Sequence, residues 1–265
     1  MANFVYLGEK HISFSKKKKL EKMFFALKEL MIKTSRESGN NAEIKKQVLE
    51  NKLIEVVKEY PELIFCAEKI TEEIYDGWWQ THNESFLYTA FDKKYYNLVK
   101  EITNNKEVCT MLFDDHGNSF IEFIAIMSHY ECAQELLFDI LDKHPTLLRH
   151  KGKNGNNLAC FAAYRYKDVP YLKELIIRTI NDEGACYQLN DKGNNIGMVC
   201  AKNGYQELFD LAYKNILARA QINKNGDNMA MIAQNNGLIV PPLSKQEVKE
   251  FYEEQINNKI YQICR

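Results

Sequence analysis

Short apolar stretches alternate with polar turns along this chain at nearly regular intervals. The turns share the pattern Asn/Asp-x-x-Gly-x-Ser/Asn, and each is followed by an apolar stretch ending in Ala. Four copies centre on glycines 38, 38 and 33 residues apart, namely Gly117, Gly155, Gly193 and Gly226. A weaker copy runs from Asn83 to Ala90, with Asn where the glycine would stand. The pattern therefore predicts about five repeated units.

The chemistry of one unit predicts a turn followed by two helices. The glycine supplies a positive φ, and the neighbouring Asn or Asp side chains can close the turn. Two residues later stands a residue type that caps helices. These predicted caps are Ser85, Ser119, Asn157, Asn195 and Asn228. A second, longer helix follows, most clearly over Asn203 to Tyr213, where Gly204 can end the first helix.

This order of turn, short helix and longer helix resembles the ankyrin repeat, whose signature Thr-Pro-Leu-His-x-Ala begins the first helix of a unit of about 33 residues. The resemblance covers roughly residues 80 to 240, and its best copy runs from Asn190 to Tyr213. The signature Thr is replaced by Ser or Asn, which still cap, whereas its Pro and His are lost. We therefore expect irregular stacking, with loops absorbing the extra residues of the two 38-residue intervals.

The predicted fold class is all-α: an ankyrin-like helical repeat solenoid with an N-terminal helical leader or cap and a C-terminal capping helix. The predicted divisions are residues 1–80, 81–240 and 241–265. Three leader helices are expected. The first is capped by Ser15 and runs to Lys33, the second covers about Ala42 to Tyr60, and the third covers about Pro61 to Tyr75. The closing helix is expected to begin at Ser244, with Glu247 completing a capping box.

The first leader helix is expected to bury one apolar face. Its predicted members are Leu20, Met23, Phe24, Leu27, Leu30 and Met31. The run Lys16-Lys17-Lys18-Lys19 is interpreted as a solvated face in preference to a lipid or nucleic-acid site, because Glu21 and Glu29 follow it. Trp78-Trp79 is expected to seal a junction in the core, with a binding hot spot as the alternative.

Composition narrows the function classes. A formal net charge of -1 argues against general nucleic-acid or membrane-surface binding, and no run of about 18 apolar residues occurs. The start of the chain lacks the pattern of a secretory signal peptide. Seven scattered cysteines fit buried, reduced thiols. We expect a cytoplasmic protein, or one delivered into a host cell by a signal that these patterns do not reveal.

Motifs that carry chemistry are missing from the sequence. It contains no phosphate-binding, dinucleotide-binding, zinc-protease or nucleophile-elbow motif. The six histidines lack metal-ligand spacing, and the carboxylate pair Asp114-Asp115 lies where the turn itself requires Asp. We therefore predict no catalytic, metal or cofactor residues and no cofactor. An unrecognised active site stays an alternative.

The ankyrin resemblance implies a concave face formed by turn tips and first-helix ends that holds another protein. Carried onto this sequence, the partner-binding positions are Asp115, His116, Asn118, Ile126, Met127, Asn154, Asn156, Tyr164, Arg165, Lys192, Asn194, Lys202, Asn203, Asn225 and Asp227. Tyr164, Arg165, Ile126 and Met127 are the favoured anchors, since aromatic, Arg and Met side chains dominate interfaces. For Asn118, Asn156 and Asn194, a role in forming the turn is an equal alternative to contact with the partner.

Three hypotheses follow. The leading one is a non-enzymatic adaptor or inhibitor that binds a protein through the array. The alternative is a secreted effector enzyme whose repeats select a target and whose active site lies in the N-terminal helical region; about 80 residues are few for an independent catalytic domain. A third is an oligomerising role through the closing helix.

Overall fold

The protein is mostly helical in the computed structural model. The structure describes residues 4–6, 12–39, 41–75, 78–111, 118–127, 131–165, 167, 172–242, 246, 249 and 253. The chain divides into two compact units, residues 1–123 and 124–265. No helix in the described part is long and apolar enough to cross a membrane. The predicted boundaries near residues 80 and 240 stay predictions.

Helices in the first unit are short after a long initial pair. They are α1 (Phe14–Ser35), α2 (Ala42–Glu59), α3 (Phe86–Asp92), α4 (Tyr96–Ile102), α5 (Lys106–Thr110) and the start of α6 (Phe120–Met127). The cap of α1 is Ser13, whose hydroxyl accepts the N–H of Lys16 at 3.4 Å. The prediction that Ser15 is the cap was wrong, because the helix already includes this residue.

The apolar face of α1 is narrower than predicted. Leu20, Phe24 and Met31 are buried, whereas Leu30 is 43 % exposed. Leu30 lies about 120° around the helix axis from Phe24, given 3.6 residues per turn, so it points away from the packed side. Placing Leu30 on the buried face was wrong. Lys28 is buried there instead.

A three-stranded antiparallel sheet replaces the predicted third leader helix. Residues Pro61–Phe65 form one 3₁₀ helix, and the chain then enters strand β2 (Cys66–Tyr75). Strand β2 pairs with β1 (Phe4–Tyr6) on one side and β3 (Trp78–Ser85) on the other. The all-helical leader and its helix over Pro61 to Tyr75 were therefore wrong.

Local sequence explains the hairpin. The second half of β2 is rich in β-branched and aromatic residues, which favour strands. Tyr75 pairs with Trp78, and the two residues between them in the sequence are Asp76-Gly77, the dipeptide most typical of a two-residue hairpin connection. The backbone of Trp78 and Trp79 belongs to β3, but their side chains lie outside the described part, so their predicted packing is untested.

The second unit consists of helix pairs separated by turns. Its helices are α7 (Glu131–Lys143), α8 (Leu158–Arg165), α9 (Leu172–Asn181), α10 (Glu183–Cys186), α11 (Ile196–Lys202), α12 (Gln206–Tyr213), α13 (Ile216–Ala220) and α14 (Met229–Asn235). Helix α8 packs on α11, α11 packs on α14, and α9 packs on α12. Equivalent helices of successive pairs thus lie side by side.

All five predicted caps begin helices. The side chains of Ser85, Asn157, Asn195 and Asn228 each accept the N–H three residues later at 2.9–3.0 Å. Ser119 accepts the N–H of Glu122 at 3.5 Å, and the Glu122 carboxylate accepts the N–H of Ser119 at 2.7 Å, which forms a capping box. The helix starts predicted from the motif are confirmed.

The predicted glycine conformations are confirmed where they are described. Gly155, Gly193 and Gly226 have φ of 65°, 78° and 89°, and Gly117 lies outside the described residues. Gly204 follows the end of α11 with φ of 75°, and the N–H of Tyr205 donates to Cys200 O at 3.0 Å. This is the hydrogen bond of a helix terminated by a left-handed residue.

Extra residues of the 38-residue intervals do not all lie in loops. In the first interval, α7 is 13 residues long, against 8 in the equivalent α12. The prediction that loops absorb the extra residues was therefore wrong for this interval. In the second interval, residues 166–171 separate α8 from α9 and are largely outside the described part. The predicted closing helix from Ser244 also lies almost entirely outside it.

Candidate partner-binding groove

Three polar turns precede helices α8, α11 and α14, and all close in the same way. We call them turn A (residues 152–156), turn B (190–194) and turn C (223–227). In each, the N–H of the first residue donates to the carbonyl of the fifth, at 2.9 Å in turns A and C and 3.0 Å in turn B. The fourth residue is the glycine with positive φ. The repeated sequence motif therefore gives a repeated backbone shape.

Hydrogen bonds join successive turns in a constant register. The backbone N–H of the second residue donates to the carbonyl of the third residue in the preceding turn. These bonds run from Asp191 to Asn154 at 3.0 Å and from Lys224 to Lys192 at 3.2 Å. We call this set of contacts, together with the side-chain bonds described next, the turn ladder.

Side-chain amides add a second rung to each junction. The Nδ2 of Asn190 donates to Oδ1 of Asn156 at 2.9 Å, and Nδ2 of Asn223 donates to Oδ1 of Asn194 at 3.1 Å. Asn194 is only 7 % exposed. Asn156 and Asn194 thus hold turns together, which supports their interpretation as turn formers. Their contact with a partner stays a prediction.

A groove of about 520 Å³ lies between turns B and C and the ends of α11 and α14. Five predicted partner-binding positions line it together: Lys192, Asn194, Lys202, Asn225 and Asp227. The remaining lining residues are Asp191, Asn223, Lys224, Ile232, Asn235 and Asn236. Amides and charges from two turns and two helix ends thus meet at one concave surface.

Charges in the groove are open to a partner. Lys192, Lys202 and Lys224 are exposed, and within the described chain no carboxylate lies at ion-pair distance from their ammonium groups. The Asp191 carboxylate is close to turn A, where a Cβ added to Gly155 would meet its Oδ1 at 2.5 Å. The arrangement offers hydrogen-bond donors and acceptors for a polar ligand.

Tyr164 stands at the end of α8, where Lys202 stands at the end of α11. Its side chain is 43 % exposed. Burial of the ring, followed by the nearby Cys160, raises the pKa of Tyr164, and the nearby Asn190 side chain of turn B opposes this rise. The phenol is therefore neutral and available as an aromatic anchor beside the turn ladder.

Other predicted positions have mixed outcomes. Asn154 is exposed, Asn118 is partly buried, and the partly buried Asn203 donates to Val199 O at 2.8 Å. Asp115 and His116 lie outside the described residues. Ile126, Met127 and Arg165 are at helix ends, but their side chains lie outside the described part. Their roles stay predictions.

Sequence reasoning missed Asn235 and Asn236 in the groove. They stand 33 residues after Lys202 and Asn203, the same interval that separates Gly193 from Gly226. The prediction named the helix end in three copies of the unit but did not extend it to the last one. Applying the same interval once more would have identified both asparagines.

Several titratable groups outside the groove form ion pairs or hydrogen bonds that connect elements of the fold. In the first unit, the ammonium of buried Lys28 lies 2.7 Å from both Glu68 and Glu84, which joins α1 to the sheet. Lys16 pairs with Glu62, and Lys19 donates to the Tyr60 hydroxyl at 3.1 Å. Among the described residues, no cluster of His, Cys, Asp or Glu can hold a metal ion.

The described cysteines fit the prediction of reduced, mostly buried thiols. Five of the six are buried, and Cys132 alone among them is partly exposed. Burial raises the pKa of Cys160 and Cys186 to about 12. Such thiols are neutral and unreactive at physiological pH, which leaves them a packing role.

Comparison with models of known protein families and with curated proteins gave no match to this chain.

Proposed function

We propose that this chain is a non-enzymatic protein-interaction scaffold, an adaptor or inhibitor, built as an ankyrin-like helical repeat array. The groove between turns B and C carries this proposal. It brings together five positions that the repeat motif assigned to partner binding, from both the turn tips and a first-helix end. A partner protein is the ligand class that a shallow surface of amides, lysines and aspartates fits.

Repeated local structure supports the array part of the proposal. Five motif copies have the predicted cap, and three consecutive turns share one closing bond and one inter-turn register. Such regularity gives rigid presentation of the turn tips, so a partner does not have to order them on binding. Rigidity of this kind suits an interaction scaffold.

Electrostatics of the groove suggest how binding would respond to mutation. Lys192 and Lys202 are exposed lining residues without ion partners in the described chain. Reversing both charges changes the groove without removing an ion pair or a side-chain hydrogen bond among the described residues. A partner that uses the groove should then bind at least about tenfold more weakly, because unfavourable charge pairs at an interface cost several kcal/mol.

The test is affinity capture from the native cell or its host with three forms of the full chain. These are the unmodified protein, the groove variant Lys192→Glu/Lys202→Glu, and the control Lys167→Glu/Lys214→Glu. The control changes the same net charge at exposed lysines outside the groove lining. We expect a protein that is retained by the unmodified chain and the control but lost from the groove variant.

Two results of this experiment would contradict the proposed function. If the groove variant retains every captured protein, or if the unmodified chain retains none, the proposal fails. A parallel variant, Tyr164→Ala/Arg165→Ala, tests whether the contact extends to the end of α8.

A further inference from the structure

The three turns differ in how well the next turn covers their glycine. A Cβ placed on Gly155 would lie 2.5 Å from Oδ1 of Asp191 in turn B. A Cβ on Gly193 would lie 2.8 Å from the backbone N of Lys224 in turn C. Among the described residues, nothing lies within 4 Å of a Cβ placed on Gly226. Turns A and B are therefore each covered by a successor, and within the described part of the chain turn C presents an open glycine face.

Turn C also carries the two acceptors that end the turn ladder. In turns A and B, the third-residue carbonyl and the fifth side-chain oxygen accept hydrogen bonds from the next turn. The corresponding groups in turn C are the carbonyl of Asn225 and the carboxylate of Asp227. In the described part of the chain no donor reaches either group.

We propose that the open face of turn C is a docking site for a polypeptide turn of a different protein, one that presents a side-chain amide followed by a backbone N–H. This inference rests on the proposed function and specifies its partner. The amide would donate to Asp227, as Asn223 donates to Asn194, and the N–H would donate to Asn225, as Lys224 donates to Lys192. The bare Gly226 leaves room for the incoming backbone to approach.

The chemistry of Asp227 favours such a donor. Turns A and B have an Asn at this position, whereas turn C has a carboxylate, which only accepts hydrogen bonds when ionised. A hydrogen bond to a charged acceptor is roughly twice as strong as a bond between neutral groups. An amide from the partner therefore gains more from Asp227 than Asn190 or Asn223 gains within the chain.

A second copy of this chain is not the fitting occupant, because its turns have no available side-chain amide at the first position. The first-position amides of Asn190 and Asn223 already donate within the turn ladder. The first position of turn A is Gly152, which has no side chain, and the matching residue of the earlier motif is Asp114, whose carboxylate is not an amide donor. A different protein is therefore the fitting source of the turn.

The test uses nuclear magnetic resonance with the ¹⁵N-labelled full chain. The ligand is a disulfide-closed peptide that contains the sequence of residues 190–194 between two cysteines, and the control peptide has Ala in place of its first Asn. We expect the closed peptide to shift the backbone amide signals of Asn225, Gly226 and Asp227. The control peptide should bind at least about tenfold more weakly, since a hydrogen bond to a charged group is worth about 1.5–3 kcal/mol.

Variants of the chain test whether the Asp227 carboxylate is the hydrogen-bond acceptor. Asp227→Ala should weaken peptide binding at least about tenfold, whereas Asp227→Asn keeps a side-chain oxygen and should lose less. Asp139→Ala removes the same charge on α7, outside the turns, and should bind like the unmodified chain. No donor in the described part of the chain reaches the Asp227 carboxylate, so an unchanged melting temperature should accompany Asp227→Ala.

Three results would overturn the inference. They are equal binding of both peptides, full binding by Asp227→Ala, or signal shifts confined to other surfaces. Sedimentation that shows self-association abolished by Asp227→Ala would reject a different protein in favour of a second copy. If peptide binding fails but capture still depends on Lys192 and Lys202, only the docking inference falls. If the peptide binds and that capture dependence is absent, the proposed function falls instead.

Discussion

The Glu50 carboxylate on α2 accepts the backbone N–H of Leu98 at the start of α4, with an Oε1 to N distance of 3.0 Å. The same oxygen accepts the N–H of Asn97 at 2.8 Å, and Oε2 accepts Nδ2 of Asn97 at 3.0 Å. Tyr95, the residue before α4, makes no side-chain cap. A buried carboxylate from another helix therefore satisfies the free amides of α4 and complements its dipole.

Replacing Glu50 with Ala should destabilise the protein substantially. The change leaves buried N–H groups without an acceptor, and we expect the free energy of unfolding to fall by about 2–4 kcal/mol. Glu50→Gln keeps one carbonyl oxygen and should cost about half as much. Urea unfolding followed by circular dichroism measures both. The exposed Glu55 on the same helix gives the control, Glu55→Ala, and an equal loss in that control would contradict the prediction.

The Glu50 contact also shows what sequence reasoning could not supply. The caps at Asn157, Asn195 and Asn228 were predictable because donor and acceptor are three residues apart. Glu50 and Leu98 are 48 residues apart, and no local pattern relates them. The cap of α4 therefore depends on how α2 packs against it, and this packing cannot be predicted from residues adjacent in the sequence.

The β2–β3 hairpin shows a different source of error. Its signal was local, since Asp76-Gly77 stands between two strand-prone stretches. We expected those residues to end the predicted helix over about Pro61 to Tyr75. The groove was only partly predictable from the sequence. The motif predicted its turn positions, but their meeting at one surface depends on the turn ladder.

Asn195 should contribute more stability than Asn228, although both cap helices at the same motif position. Asn195 is fully buried, and its Nδ2 also donates to Ala218 O at 2.7 Å and to Gln221 Oε1 at 2.8 Å. Asn228 is partly exposed and caps only α14. We expect Asn195→Ala to cost about 2–4 kcal/mol and Asn228→Ala about 1 kcal/mol.

Chemical denaturation of these two variants measures the difference directly. Asn195→Ser retains a capping oxygen but cannot make both donor bonds, so its loss should fall between those of the two Ala variants. Equal losses for Asn195→Ala and Asn228→Ala would show that the bonds to Ala218 and Gln221 contribute nothing to stability.

Gly193 and Gly204 separate the cost of backbone conformation from the cost of crowding. Their φ values are 78° and 75°, so Ala at either position pays about 1–2 kcal/mol for a left-handed backbone. A Cβ on Gly193 would also lie 2.8 Å from the backbone N of Lys224, whereas one on Gly204 would meet no described residue within 4 Å. Gly193→Ala should therefore lower the free energy of unfolding by at least about 1 kcal/mol more than Gly204→Ala does.

Thermal unfolding of the two glycine variants provides the comparison. In Gly193→Ala, hydrogen exchange at the Lys224 amide should also accelerate, because its bond to Lys192 O must shift. Gly204→Ala should leave that exchange rate unchanged. Equal destabilisation with no change at Lys224 would contradict a tight contact between turns B and C.

The pair formed by Arg149 and Asp182 should make stability depend on pH in the acid range. Arg149 Nε donates to Asp182 Oδ1 at 2.8 Å, and this bond is the main cause that lowers the pKa of Asp182. A carboxylate whose pKa is depressed on folding stabilises the protein above its unfolded pKa of about 3.9, and this contribution is lost as the pH falls through the folded pKa. Because the Arg149 side chain is exposed to solvent, screening keeps this contribution small.

Urea unfolding at pH 7 and pH 2 tests this contribution through Asp182→Asn. The amide oxygen of the variant can still accept the N–H of Ala185, as Oδ1 does at 2.8 Å, while the charge is removed. The loss of stability between the two pH values should be smaller in this variant than in the unmodified chain. Asp139→Asn, which removes a carboxylate from an exposed pair with Lys143, is the control. If Asp182→Asn and the unmodified chain lose the same amount, the ion pair does not contribute, because neutralising Asp182 at low pH would then have no cost.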